Sequence, residues 1–322
     1  MKKIGILTSG GDAPGMNACI RAAVRTALAD GVEIVGIRRG YEGLIHGDFF
    51  TLDRNSIINI IHRGGTILET SRSDEFETRE GRNRAAEVLR KAGIEGLVLV
   101  GGNGTFHGGT LIEDEHGIEV TGVPATIDND IYGTDYCVGF DTAINCALEA
   151  IDRVRDTALS MERLFFIEVM GRNTGFIALE SGIAGGAEEV LIPEEMMSTD
   201  ELSSRLLRSF STGKRSAIVV VAEAGHPGWS FHLARDVFQK TGIESRVCIL
   251  GHIQRGGCPT ARDRILGSSL GSFAVRALLE GRTGCVAGEV NGNHVCIPMA
   301  DTWNKKKDLE EPSLSLRKLL SE

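Results

Sequence analysis

The sequence predicts an α/β fold in two domains, each a mostly parallel sheet flanked by helices. Three observations predict it. Short apolar runs alternate with longer helical stretches along the chain, the order expected of consecutive βαβ units. Several runs are continuously apolar rather than alternating, as in Gly96-Leu97-Val98-Leu99-Val100, which suits strands covered on both faces. Glycine supplies 41 of 322 residues without any collagen-like period, so it must serve turns and close backbone approaches.

In chain order, strands are expected over 3–7, 33–37, 96–100, 119–122, 165–169, 190–192, 217–221 and 246–250. Each is a short apolar run followed by a turn. Helices are expected near 15–30, 83–92, 105–114, 140–159, 174–183, 199–211, 230–241 and 262–279. A second set of βα units begins near residue 139, and the chain is expected to cross back after about 252. The domains are therefore 1–139 with about 252–304, and 140–251 with about 305–322. The charged tail 303–322 reads as a surface helix.

Composition narrows the function classes. Hydrophobic residues make up 42% and charged residues 25%, which argues against disorder. The formal charge of −9 argues against nucleic acid or an anionic membrane as a partner, yet permits a local basic pocket. No apolar run approaches the ~18–20 residues that span a bilayer, and the start of the chain lacks a signal-peptide pattern, so a cytoplasmic location is expected. Seven cysteines form no Cys-x-x-Cys pair, as expected of free thiols in a reducing compartment.

Three turns carry phosphate chemistry. The first strand runs into Thr8-Ser9-Gly10-Gly11-Asp12-Ala13-Pro14-Gly15-Met16-Asn17 and then a helix. Gly10 and Gly11 let a ligand approach the backbone, and the helix start offers unpaired N–H groups to an anion; a plain βα turn has the same look. The motif is neither the dinucleotide glycine fingerprint nor a Walker loop, which disfavours a dehydrogenase. A second turn, Gly101-Gly102-Asn103-Gly104-Thr105, also opens a helix. Two such turns on one sheet edge suit a polyphosphate. The third, Pro124-Ala125-Thr126-Ile127-Asp128-Asn129-Asp130, sets two carboxylates beside a hydroxyl. One carboxylate can accept a proton while the other holds magnesium; an Asx turn with solvated carboxylates fits the same residues.

Arginines cluster farther along. Arg246 leads into Gly251-His252-Ile253-Gln254-Arg255-Gly256-Gly257, with Asp263-Arg264 beyond. The planar guanidinium fork suits phosphate. Met170-Gly171-Arg172 ends another strand, and Glu223 ends a third, where it can accept hydrogen bonds from sugar hydroxyls or lie solvated.

The phrases TSGGDAPGMN, TIDNDIYGTDY, EVMGR and GHIQRGG together resemble the bacterial ATP-dependent 6-phosphofructokinases, from residue 3 to about 290. The resemblance implies that family's two-domain fold. It implies transfer of the ATP γ-phosphoryl to the 1-hydroxyl of fructose 6-phosphate, with Mg2+, as a step of glycolysis. By matching motif, Asp128 resembles the general base and Thr126 a contact to the transferred phosphoryl. Arg172 and Arg72 resemble charge-stabilising cations, and Gly11 a backbone donor. Gly11, Arg72, Ser73, Gly101, Gly102, Asn103, Gly104 and Thr105 match the ATP site, and Asn103 and Asp130 the metal positions. Thr126, Asp128, Met170, Gly171, Arg172, Glu223, His252 and Arg255 match sugar-phosphate ligands, with Arg163 and Arg246 reaching in from a neighbouring subunit of a homotetramer. Arg21, Arg25, Arg54, Arg155, Glu188 and Lys214 match an effector site for ADP or phosphoenolpyruvate.

The chain departs from the family pattern at four places. Asn103 replaces an aspartate that helps hold magnesium. Ala125 stands where ATP users tend to carry glycine; with Gly104 it still leaves room for adenosine, whereas pyrophosphate users carry Asp and Lys at these positions. Ser73 replaces a frequent aromatic residue, and Thr212 a frequent basic one. Asn103 keeps open a paralogue with another donor or sugar phosphate. A regulatory pseudokinase is the third reading, opposed by the presence of Thr126, Asp128, Asp130 and Arg172.

Overall fold

The computed structural model describes residues 1–321. Among the described residues eleven strands are formed in chain order: β1 Lys3–Thr8, β2 Glu33–Ile37, β3 Phe49–Thr51, β4 Gly96–Gly101, β5 Glu119–Pro124, β6 Leu164–Val169, β7 Glu189–Leu191, β8 Ala217–Ala222, β9 Ser245–Ile249, β10 Cys285–Val290 and β11 Asn293–Pro298. The chain divides into two compact units. Unit 1 is Met1–Thr142 with Arg255–Lys307, and unit 2 is Ala143–Gln254 with the stretch that begins at Asp308.

Unit 1 holds a seven-stranded sheet in the order β11-β10-β5-β4-β1-β2-β3. Its central strands are parallel, and antiparallel partners β3 and β11 close the two edges. Every residue of β4 is buried, because helices cover both faces. Leu7, Leu97, Leu99, Phe106 and Val120 form part of one core face. Unit 2 holds a four-stranded, all-parallel sheet in the order β7-β8-β6-β9. Its core joins Phe166, Val219 and Val221 to Leu202, Leu206 and Val237 of two helices.

Helix boundaries follow local chemistry. Thr78 caps Arg79–Ala92 by accepting from the Gly81 amide, and Gly93 at φ 67° ends it. Ser198 caps Thr199–Ser211 through the Glu201 amide, a donor the helix cannot satisfy itself. Thr260 caps Ala261–Leu279.

Some elements differ from the sequence expectation. The tail is not one surface helix. Helices Asp301–Asn304 and Glu311–Leu320 are separate, and Pro312, in the first turn of the second, marks a fresh start. Leu314 and Arg317 of that second helix are buried, and Arg317 pairs with Glu195; residue 322 lies outside the described residues. The β10–β11 hairpin was not expected. Val290 pairs with Asn293 across Asn291-Gly292, whose φ values are 51° and 75°, and Asn-Gly is the residue pair that a two-residue hairpin turn favours. Helix Gly40–His46 and strand β3 were too short to read from periodicity.

Candidate active site

In unit 1, β5, β4 and β1 are consecutive and parallel, so their carboxyl ends share one edge. The three phosphate-type turns leave from that edge, and hydrogen bonds knit them together. The Ser9 amide donates to Val100 O (3.1 Å) and the Ala125 amide to Gly101 O (2.9 Å). Thr105 Oγ1 donates to Ser9 O at 3.1 Å. Gly10 bends at φ 85°, and a Cβ on Gly101 would lie 2.5 Å from Ser9 O. A Cβ on Gly104 would meet nothing within 4 Å, so that position faces open space. Helices Met16–Ala29 and Asn103–His116 begin at these turns, and their first N–H groups favour an anion.

Asp128 is 5% exposed, with its amide bonded to Thr126 Oγ1 at 3.2 Å. Asn129 holds this loop. It takes φ 53°, donates to Asp135 O (3.2 Å) and accepts from the Cys137 amide (2.9 Å). Its neighbours Asp128 and Asp130 are fixed as a result. The amide of Asn103 donates to Asp130 Oδ2 at 3.4 Å, while its Oδ1 is buried without a hydrogen-bond partner. Among the described residues no cluster of three His, Cys, Asp or Glu could hold a metal alone. One carboxylate beside one orphaned carbonyl oxygen suits Mg2+ that arrives on a polyphosphate, since this ion usually binds through one or two protein oxygens plus phosphates and water.

Arg255 also reaches this edge. Its Nη1 donates to Asp12 O at 3.3 Å, and a Cβ on Gly11 would sit 2.6 Å from the same nitrogen. The guanidinium thus covers the Gly11 turn. Arg72 is exposed. The Ser73 hydroxyl caps helix Asp74–Glu77 and donates to Glu42 Oε2 at 2.8 Å, a bond that holds the Glu42 carboxyl below its ordinary range.

In unit 2, a second set of candidates gathers at the carboxyl ends of β6 and β8. The Arg172 amide donates to Glu223 Oε1 at 2.9 Å, and the Glu223 amide donates to Val169 O at 3.0 Å. Gly171 stands at φ 139° and Arg172 at φ 56°. His252 is exposed on the short helix Gly251–Arg255. Arg163 and Arg246 lie elsewhere. Arg163 precedes β6, and Arg246 pairs with Phe165 at the amino end of β9. At ~3.3 Å per residue, they are roughly 20 Å along the strands from Arg172. They thus sit at the opposite end of the unit 2 strands from Arg172 and Glu223. Arg163 leaves Nη1 buried without a partner.

The family model described as phosphofructokinase matches residues 3–278. This chain belongs to the phosphofructokinase family. The ATP-dependent 6-phosphofructokinase 1 of Thermus thermophilus is 56% identical over 321 residues, covering all of both chains. The ATP-dependent 6-phosphofructokinase of Cytophaga hutchinsonii is 50% identical over 322 residues, covering 100% of this chain and 98% of its own. The phosphofructokinase of Saccharomyces cerevisiae superposes with a TM-score of 0.90 at 32% identity. This chain is covered completely but spans about half (48%) of the yeast chain. A pyrophosphate-dependent phosphofructokinase from Marinobacter aquaeolei shares the fold, with a TM-score of 0.86 at 23% identity and 99% and 91% coverage.

The residues expected from the sequence at an effector site fall into two groups. In unit 2, Lys214 pairs with Glu188 at 2.9 Å, and both line a cavity of about 760 Å³ with Arg205, Arg208 and Thr212. Arg155 Nη2 donates to the Gly185 and Gly186 carbonyls just before them. Arg21, Arg25 and Arg54 belong to unit 1. No helix among the described residues is long and apolar enough to cross a membrane.

Two buried acids stood within quoted motifs but were given no role by the sequence. Glu168 is 1% exposed and accepts from the Gly228 amide (2.6 Å) and the Ser230 amide (3.1 Å), tying β6 to the loop that carries Glu223. Asp263 accepts from the Gly139 and Thr142 amides, each at 2.8 Å, and so caps helix Phe140–Met161; burial raises its pKa. For Glu168 the signals were a lone acid in an apolar run and its place at the head of EVMGR.

Proposed function

We propose that this protein transfers the γ-phosphoryl group of ATP to the 1-hydroxyl of fructose 6-phosphate, giving fructose 1,6-bisphosphate and ADP, a step of glycolysis. The observation that carries the reading is the convergence of the Gly10-Gly11, Gly101–Thr105 and Thr126–Asp130 turns on one edge of the β5-β4-β1 sheet. Unit 1 is the nucleotide-binding part, with Gly11, Arg72, Gly101, Gly102, Gly104 and Thr105 around the donor. Unit 2 is the sugar-phosphate part, with Met170, Gly171, Glu223 and His252.

Phosphoryl transfer asks the protein mainly for positioning and charge stabilisation. The Asp128 carboxylate takes the proton of the attacking hydroxyl. Thr126 and the Gly11 amide steady the transferred group, and Arg72 and Arg172 offset its negative charge. Arg255, seated over the Gly11 turn, adds a cation there. Asp130 and Asn103 would hold Mg2+, which would neutralise phosphate charge. Arg163 and Arg246 serve the sugar phosphate of a neighbouring protomer in a homotetramer, because their own strand ends lie opposite Arg172. Arg155, Glu188 and Lys214, with Arg21, Arg25 and Arg54 of another protomer, form a site for ADP or phosphoenolpyruvate.

The test is a coupled assay with fructose 6-phosphate and each donor. Turnover with ATP is expected. Turnover with pyrophosphate alone would overturn the choice of donor. Binding of both substrates without turnover would make the protein a regulatory pseudokinase.

A further inference from the structure

We propose that Gln254 is a positioning residue that holds the Met170-Gly171-Arg172 turn in the conformation the reaction uses. The inference rests on the sugar-phosphate role proposed above for that turn. Strand β6 stops pairing at Glu168 on the β9 side and at Val169 on the β8 side. The Met170 amide is the first beyond the ladder, and Met170 is only 8% exposed. A buried N–H in that place needs an acceptor. Gln254 Oε1 supplies it at 2.8 Å.

The turn does not hold itself. Gly171 and Arg172 both have positive φ, 139° and 56°, and the second is costly for a residue with a Cβ. Thr174 bonds back to Gly171 O through its amide and its hydroxyl, each at 2.9 Å. Glu223 fixes the Arg172 amide from one side. Gln254 fixes the strand end just before the bend. Without it, the nearest upstream anchor would be the ladder bond at Val169 O.

Packing alone does not call for an amide here. Gln254 is fully buried, at 0% exposure, and its Nε2 has no hydrogen-bond partner among the described residues. Methionine would fill the same volume with no orphaned donor. The paired half of this buried amide is the contact to Met170, and an unsatisfied remainder calls for such a reason. Gln254 is also the one fully buried residue of Gly251–Arg255; His252 and Ile253 are exposed. It therefore joins the His252 segment to the Arg172 turn.

Gln254→Met removes the acceptor, and Gln254→Glu keeps an oxygen at the same reach. Amide hydrogen exchange and steady-state kinetics are measured on both full-length variants. In Gln254→Met, exchange at residues 170–172 and the KM for fructose 6-phosphate should each rise about tenfold, with the ATP KM within about twofold of the parent. Gln254→Glu should restore both towards the parent. Unchanged exchange at 170–172 would overturn the proposal. So would equal loosening of β8, which marks global destabilisation, or a loosened turn with an unchanged sugar KM. Should Gln254→Met fail to accumulate, Gln254→Asn, which is too short to reach Met170, is read by the same criteria. Exchange needs no turnover, so a parent protein inactive on fructose 6-phosphate would defeat the functional reading while exchange still decides the role of Gln254.

Discussion

The carboxyl edges of the two sheets hold their turns by different means. In the first two turns of unit 1 glycine does the bending: Gly10 takes φ 85°, and Gly101 lies so close to Ser9 O that no side chain fits. Backbone amides are left for a ligand at little steric cost. In unit 2 a side chain bends. Arg172 occupies the left-handed region at φ 56°, and acceptors on Glu223 and Gln254 hold the neighbouring amides. A turn that contributes only N–H groups can be glycine. A turn that contributes a guanidinium cannot, so its strain has to be offset by anchors from elsewhere in the chain.

The largest expected effect tests whether the unit 1 edge is chemical. Asp128→Asn should lower kcat by roughly 10²–10⁴ and leave the sugar-phosphate KM within about threefold. A defect confined to KM would remove Asp128 from the role of base.

Gly101→Ala tests the glycine side of the contrast. The new methyl would press on the Ser9 carbonyl, a backbone atom that cannot swing away. Overpacking of this kind costs ~1–3 kcal/mol, and ATP binding should weaken with it. Thermal unfolding and an ATP titration measure the two effects; a tolerated alanine would show that close approach is not the reason for the glycine.

Arg172 tests the other side. Arg172→Gly and Arg172→Ala should both lose turnover, but the glycine variant should be more stable by about 1 kcal/mol, because only glycine adopts that φ freely. Equal urea midpoints would mean the turn is not strained.

The smallest effect concerns Asn103. Asn103→Asp adds a charge beside Asp130 and should lower the Mg2+ midpoint about threefold, the scale of a partly exposed charge interaction. An unchanged titration would make position 103 irrelevant to the metal.

The contrast between the edges was only partly legible in the sequence. The glycine turns announce themselves, because Gly10-Gly11 and Gly101-Gly102 are local signals at the ends of apolar runs. Arg172 was legible as a cation but not as a strained residue, since its φ is imposed by partners such as Glu223, far along the chain. Asn129 and Gln254 were read as parts of motifs but given no role, because a polar residue in a loop has no distinguishing pattern until its partners are known. The Asn291-Gly292 turn was local and readable, yet β11 is a partly exposed edge strand and the apolar run of β10 is cut short by Gly288-Glu289.

The sequence by itself determined the α/β class, the places where strands end in glycine turns, the local helix caps at Thr78, Ser198 and Thr260 and the residue types that phosphate chemistry needs. All of these depend on neighbours within a few residues, where backbone sterics and hydrogen bonding act directly. Tertiary structure decided that β5, β4 and β1 lie side by side and that Arg255 covers a turn 243 residues away. It also set Arg163 and Arg246 at the opposite strand ends from Arg172. Such placements follow from strand order, and strand order is settled by which apolar faces bury one another, a competition over the whole chain that no local window contains.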